Sequence, residues 1–118
     1  MDLSVIIFIM LIHWLADACL QTNEQATEKW RSSTQLGWHV LTYSIVWFVV
    51  GFVLSNSIDT ALKFFIITYV CHFATDYCTS IITHNYFEKK DYHNGFVMVI
   101  ADQILHLIQL FLMFKYIL

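Results

Sequence analysis

The sequence predicts an all-α integral membrane protein folded as a four-helix bundle. Of its 118 residues, 58% are hydrophobic and 17% are aromatic, which is more than a soluble domain of this size carries. Four apolar stretches are each long enough to cross roughly 30 Å of hydrocarbon. We place these spans near residues 3–21, 36–55, 60–83 and 95–117, within a single domain that covers residues 1–118.

The first span becomes polar only in its second half. Its start is a plain apolar run, and the stripe His13, Asp17 and Gln21 then follows at a spacing of four residues. That spacing puts the three side chains on one face of a helix. No basic residue precedes the run and no small-residue cleavage site follows it, so we expect a retained transmembrane helix rather than a signal peptide.

The other three spans also carry polar residues in one half only. These residues are His39 and Tyr43 early in the second span, His72 and Asp76 late in the third, and Asp102, Gln103 and His106 early in the fourth. If successive spans run in opposite directions, all of these groups fall at one depth of the bilayer. The sequence therefore predicts one intramembrane cluster of ionisable groups.

The basic residues in the polar connections predict the orientation of the chain in the membrane. Residues 22–35, which could include a short surface helix, and residues 84–95, where we expect a turn at Asn94-Gly95, supply four basic residues: Lys29, Arg31, Lys89 and Lys90. The opposite side has only Lys63 and Lys115. By the positive-inside rule, we expect a multi-pass protein of the bacterial inner membrane with both termini outside the cytoplasm and the cluster in the cytoplasmic half.

A short motif occurs twice. In residues 13–19 and again in residues 72–78, a His is followed by an aromatic residue, by an Asp four positions after the His, and by a Cys two positions later. One interpretation is a parallel repeat of two similar helical hairpins. The other interpretation is that the seven positions match by chance.

The composition limits the classes of molecule that this protein can bind. With 13% charged residues and a net charge of -3, the chain lacks the basic surface that a nucleic acid requires, and the lipid bilayer is the expected environment. An odd number of cysteines, Cys19, Cys71 and Cys78, gives no disulfide framework. We expect these three to be free, small, buried side chains.

The buried His and Asp residues are the expected functional site. An ionisable residue inside a membrane costs about 2.5 to 3.5 kcal/mol on insertion scales, so each needs a partner. His/Asp pairs from three helices could surround a divalent cation such as zinc, manganese or iron. The expected ligands are His13, Asp17, His72, Asp76, Asp102 and His106. Asp102 could instead act as a base and His39 as a proton carrier, while Gln21, Gln103 and Tyr43 would orient ligands. In the alternative interpretation, the same groups only hydrogen-bond one helix to another.

Several segments resemble one known family. HWLADACLQT at residues 13–22, Lys29, His39, HFATDY at residues 72–77 and ADQILHL at residues 101–107 together look like the domain of unknown function 3307 (DUF3307), a family of small bacterial and phage membrane proteins. The resemblance covers nearly the whole chain and implies a polytopic membrane protein without a settled activity. Ala18 departs from the family pattern, in which an aromatic residue tends to follow the Asp; we expect this to alter packing only.

Three functions remain open at this level. The first is a metal-dependent hydrolase that acts on a lipid-linked or membrane-soluble ester or phosphoester. The second is a homo-oligomeric transporter or channel for protons, metal ions or small metabolites, which uses the same His and Asp groups as relays. The third is a non-catalytic membrane partner, for instance a phage-encoded modulator of a host complex.

Overall fold

The computed structural model describes all 118 residues and contains helices but no strand. Helix α1 (Leu3–Trp14) continues into a π-helical turn (Leu15–Cys19), and the short helix α2 (Asn23–Glu28) follows. The three long helices are α3 (Ser33–Ser55), α4 (Ile58–Glu88) and α5 (Tyr92–Tyr116). The predicted all-α helical bundle is confirmed.

Three helices, α3, α4 and α5, are long and apolar enough to cross a membrane. The first helical segment, Leu3–Cys19, is also apolar but shorter. Its 17 residues would reach about 25 Å, somewhat less than the hydrocarbon thickness. The membrane character is thus supported by three helices, and a fourth crossing stays a prediction.

The connection between α4 and α5 is shorter than the sequence suggested. Helix α4 continues to Glu88 and α5 begins at Tyr92, so most of residues 84–95 is helical and the turn expected at Asn94-Gly95 is wrong. The cause is the N-cap of α5, where the Asp91 carboxylate accepts hydrogen bonds from the backbone N–H and the side-chain amide of Asn94. These two bonds lower the pKa of Asp91.

The long helices pack as a bundle around α4. Helix α4 contacts α3 on one side and α5 on the other, α1 packs on α5, and the π-helical turn contacts α3. One half of the interior is a purely apolar core that includes Ile9, Trp47, Phe64, Met113 and Phe114. The other half holds the polar residues, because antiparallel neighbours place the late part of α1 and α4 beside the early part of α3 and α5.

The exterior of the bundle is apolar. Large hydrophobic side chains such as Val53 (70% exposed), Val70 (61%) and Ile100 (60%) point outward, whereas the His and Asp side chains of the polar half are buried. This distribution is typical of a bundle surrounded by lipid, in which ionisable residues face the interior. The cysteines are free as expected but not buried: Cys19 and Cys78 are exposed and Cys71 is half-buried. A residue two positions after an inward-facing Asp points to the opposite side of its helix, which explains this difference.

Gly51 permits the close approach of α3 and α4. A Cβ at this position would lie 2.9 Å from Cγ of Phe64, a ring that is fully buried and cannot move aside. We expect Gly51→Ala to lower the free energy of unfolding by about 1 to 3 kcal/mol through overpacking. Thermal unfolding in detergent measures this effect. Gly37→Ala is the matched control, because its Cβ would meet only the Tyr69 hydroxyl at 3.8 Å; equal destabilisation of both variants would contradict the argument.

Candidate functional site

The polar half of the bundle gathers most of the residues expected at the site. His13 comes from α1, Asp17 from the π-helical turn, His39 and Tyr43 from α3, His72 and Asp76 from α4, and Asp102, Gln103 and His106 from α5. The three Asp and four His residues among them are all buried. Gln21 is the exception: it is half-buried like Gln103, but its side-chain oxygen has no hydrogen-bond partner.

Three ligand atoms from three different segments form the centre of this cluster. Oδ1 of Asp17 lies 3.0 Å from Nε2 of His39 and 3.3 Å from Nε2 of His72, and the two Nε2 atoms are 3.2 Å apart. Zinc bonds of about 2.0–2.1 Å in a tetrahedron imply ligand–ligand distances of about 3.3–3.4 Å. The central triangle, as we call these three atoms, therefore has the dimensions of one face of a metal coordination shell.

Ring stacking holds the His72 side chain in this arrangement. The His72 ring lies between the rings of Tyr43 and His106, with centroid distances of 3.9 Å to each. Neither Nδ1 of His39 nor Nδ1 of His72 has a hydrogen-bond partner. The orientation of His72 is thus set by ring packing, which aims its Nε2 at Asp17.

Asp76 is a second carboxylate close to the central triangle, and it forms an ion pair with Lys29, which lies outside the spans. Its Oδ2 atom is 3.5 Å from Nε2 of His39, 3.7 Å from Nε2 of His72, and 3.1 Å from Nζ of Lys29. Burial alone would lower the pKa of Lys29, but the charges of Asp76 and Asp17 outweigh it and the pKa is raised. Lys29 therefore supplies a full positive charge beside the central triangle.

His13 lies beside the triangle rather than in it. Its Nδ1 is 3.0 Å from the Tyr43 hydroxyl and its Nε2 is 2.8 Å from Oε1 of Gln103. The distance from Nε2 to Asp17 is 3.8 Å. Both ring nitrogens of His13 contact neutral polar groups, so His13 orients Gln103 here. That Tyr43 and Gln103 orient ligands stays a prediction.

Asp102 and His106 form a second group on α5. Oδ1 of Asp102 accepts a hydrogen bond from the Thr79 hydroxyl and lies 3.1 Å from Nε2 of His106. This second contact is an ion-pair contact and not a hydrogen bond, and neither nitrogen of His106 has a hydrogen-bond partner. Ligand atoms of Asp17, Asp102 and His106 all lie within 4.8 Å of one another. Asp17 thus belongs to two groups that could hold a metal ion.

A cavity of about 560 Å³ leads to these groups from the α2 side of the bundle. Its walls include Asp17, Lys29, Asp76, Asp102 and Gln103, together with the half-buried Gln21. At the cavity wall Trp30 stacks on His84 with ring centroids 3.5 Å apart. The cavity gives a small molecule or a lipid headgroup a route to the carboxylates.

The sequence reasoning gave no role at the site to two contributors, Lys29 and Thr79. Lys29 lies in a polar connection, where no helical periodicity indicates that its side chain turns inward; the family resemblance alone singled it out. Thr79 follows His72 by seven residues and Asp76 by three, so it shares their helix face. That spacing could have identified it.

Comparison with known proteins gives one match. Residues 5–118 match a family described as Protein of unknown function (DUF3307). No curated protein matches the chain, and no solved structure does. Because the match covers nearly the whole chain, the protein belongs to the DUF3307 family.

Proposed function

We propose that this protein binds a divalent metal ion inside the membrane and uses it to hydrolyse an ester or phosphoester of a lipid-linked or membrane-soluble substrate. The central triangle carries the proposal, because Asp17, His39 and His72 present one oxygen and two nitrogens at 3.0 to 3.3 Å from one another. Borderline N/O donors of this kind suit zinc, manganese or iron. A bound cation would supply Lewis-acid chemistry.

The surrounding residues fit this assignment. Asp76 is the nearest further carboxylate and would be the fourth ligand once Lys29 moves away from it. His39 lies in the triangle, so we assign it to the metal rather than to proton transfer. The cavity exposes the triangle's carboxylate to the α2 side. The basic residues of the connections favour a cytoplasmic location for this side, in an inner membrane, by the positive-inside rule.

A catalytic site accounts for the interior better than a transport pathway through one chain. Beyond the polar half, the bundle is filled by the apolar core around Trp47, Phe64 and Phe114. The exterior is apolar on the long helices, without a polar seam for a shared pore. Transport would require the core to open or several chains to assemble.

Elemental analysis of the protein purified in detergent tests the metal site. We expect metal to copurify with the wild-type chain. The affinity for metal should fall in His39→Ala and in His72→Ala. Each loss should exceed the roughly 10–100-fold loss that is typical when a residue that only supports a ligand is replaced. Metal should also raise the thermal unfolding midpoint of chelator-treated protein, because it binds only the folded state.

Gln109→Ala is the matched control. Gln109 donates a 2.7 Å hydrogen bond from α5 to Thr75 on α4 outside the triangle, so this variant should lose a helix contact but keep its metal. Wild-type protein that takes up no metal, or a Gln109→Ala chain that loses as much as His39→Ala, would leave only interhelical hydrogen bonding as the role of these groups.

A further inference from the structure

The two oxygens of Asp17 face different partners. Oδ1 belongs to the central triangle with His39 and His72, whereas Oδ2 accepts a 2.8 Å hydrogen bond from Nε2 of Gln103. The same Nε2 atom donates to Oδ2 of Asp102 over 3.1 Å. A neutral amide thus stands between two buried carboxylates, at a place where a cation would be held more strongly.

His106 is the second observation at this place. It is 1% exposed, and neither of its ring nitrogens has a hydrogen-bond partner, although Nε2 lies 3.1 Å from Asp102. An unpaired nitrogen in a buried polar cluster is unfavourable. A cation bound by Asp17 and Asp102 would take the free lone pair of His106.

We propose that the protein binds two divalent cations bridged by the carboxylate of Asp17. The first is the ion of the central triangle, on which this inference rests, and the second is held by Asp17, Asp102 and His106, whose ligand atoms lie within 4.8 Å of one another. Two cations held by these residues would stabilise both the attacking and the leaving oxygen of an in-line displacement at a phosphoryl group. The expected substrate class is therefore a phosphoester.

Binding of the second cation requires the side-chain amide of Gln103 to rotate so that its oxygen and nitrogen exchange places. The neighbouring residues allow this rotation. Oε1 of Gln103 now contacts Nε2 of His13, whose Nδ1 contacts the Tyr43 hydroxyl. A hydroxyl both donates and accepts, so His13 can switch tautomer and accept from the turned amide instead of donating to it. The turned amide then directs its carbonyl oxygen at the cation.

Loading with Mn²⁺ tests the pair directly. We expect the wild-type chain in detergent to bind two Mn²⁺ ions and to show the electron paramagnetic resonance spectrum of a magnetically coupled pair. In His106→Ala the stoichiometry should fall to one, with the spectrum of an isolated ion, while Gln109→Ala keeps the coupled pair. His106→Gln provides a second variant, of closer size, should the alanine variant fold poorly.

The wild-type result decides whether a bridged pair forms, and a His106→Ala chain, or His106→Gln chain, that keeps the coupled pair contradicts the assignment of the second ion to His106. Saturation at one ion, or at two ions without magnetic coupling, overturns the bridged pair while the single-metal proposal stands. Binding of no Mn²⁺, zinc or iron overturns both. If the pair forms, hydrolysis of a phosphodiester but not of a carboxylic ester in the same detergent is the expected preference, and the reverse preference contradicts the substrate class.

Discussion

Asp17→Asn is expected to remove nearly all bound metal. The Asp17 carboxylate is the one group shared by the two clusters that could hold a metal ion, and its Oδ1 atom contacts two histidine nitrogens within 3.3 Å. An amide keeps the size of the side chain but not its charge, and its nitrogen cannot coordinate a cation. The metal content should therefore fall from two ions per chain to near zero, and hydrolytic activity should disappear with it.

The exposed carboxylate of Asp59 provides the control for this substitution. Its side chain is 75% exposed and pairs with Lys63 at the far end of the bundle. Asp59→Asn makes the same chemical change away from the site, so metal content and unfolding midpoint should match the wild type. An Asp17→Asn chain that stays folded and retains its metal would remove Asp17 from the site and with it the bridged pair.

Lys29→Met is expected to lower the stability of the metal-free protein and to raise its affinity for metal. In metal-free protein it should lower the free energy of unfolding by about 3 kcal/mol, since it leaves the buried carboxylate of Asp76 without its cation. The Asp76 side chain is 2% exposed and that of Lys29 only 18%. Metal affinity should rise at least about tenfold, because a unit charge a few ångströms away repels a cation by several kcal/mol at an effective dielectric constant near 20.

Chelator-treated and metal-loaded protein must both be measured to see this reversal. Added metal should restore most of the lost stability of Lys29→Met, since the cation replaces the ammonium group beside Asp76. Lys63→Met is the matched control: this lysine pairs with Asp59 at 3.0 Å, but both side chains are mostly exposed, so the change should be within about 1 kcal/mol. A Lys29→Met chain that weakens metal binding would show that Lys29 supports the ligands instead of competing with the metal.

Much of the fold could be predicted from local sequence. Long apolar runs indicate helices long enough to cross a membrane, and the polar half of each run indicates where the interior is polar. His13 and Asp17, like His72 and Asp76, were correctly placed on inward faces, because a spacing of four residues is a property of the helix itself. The helix ends were harder to predict: Asp91 caps α5 within residues expected to form a loop.

The pairing inside the site differs from the one that spacing suggested. His13 to Asp17 and His72 to Asp76, the i,i+4 pairs, are separated by 3.8 and 3.7 Å. The closer contacts cross between segments, as from Asp17 to His39 at 3.0 Å. The π-helical turn that carries Asp17 does not account for this difference, because the His72–Asp76 pair on the regular helix α4 is just as far apart. Packing between the segments sets the closer contacts.

The sequence by itself determined that the protein is helical and that His and Asp side chains gather in one half of an apolar bundle. Only the tertiary structure decided which of these side chains contact one another, that Lys29 reaches Asp76, and that Asp17 faces two clusters at once. The physical reason is that helical periodicity fixes directions within one helix. Distances between atoms on different helices depend instead on packing, such as the approach at Gly51 and the stacking of Tyr43, His72 and His106.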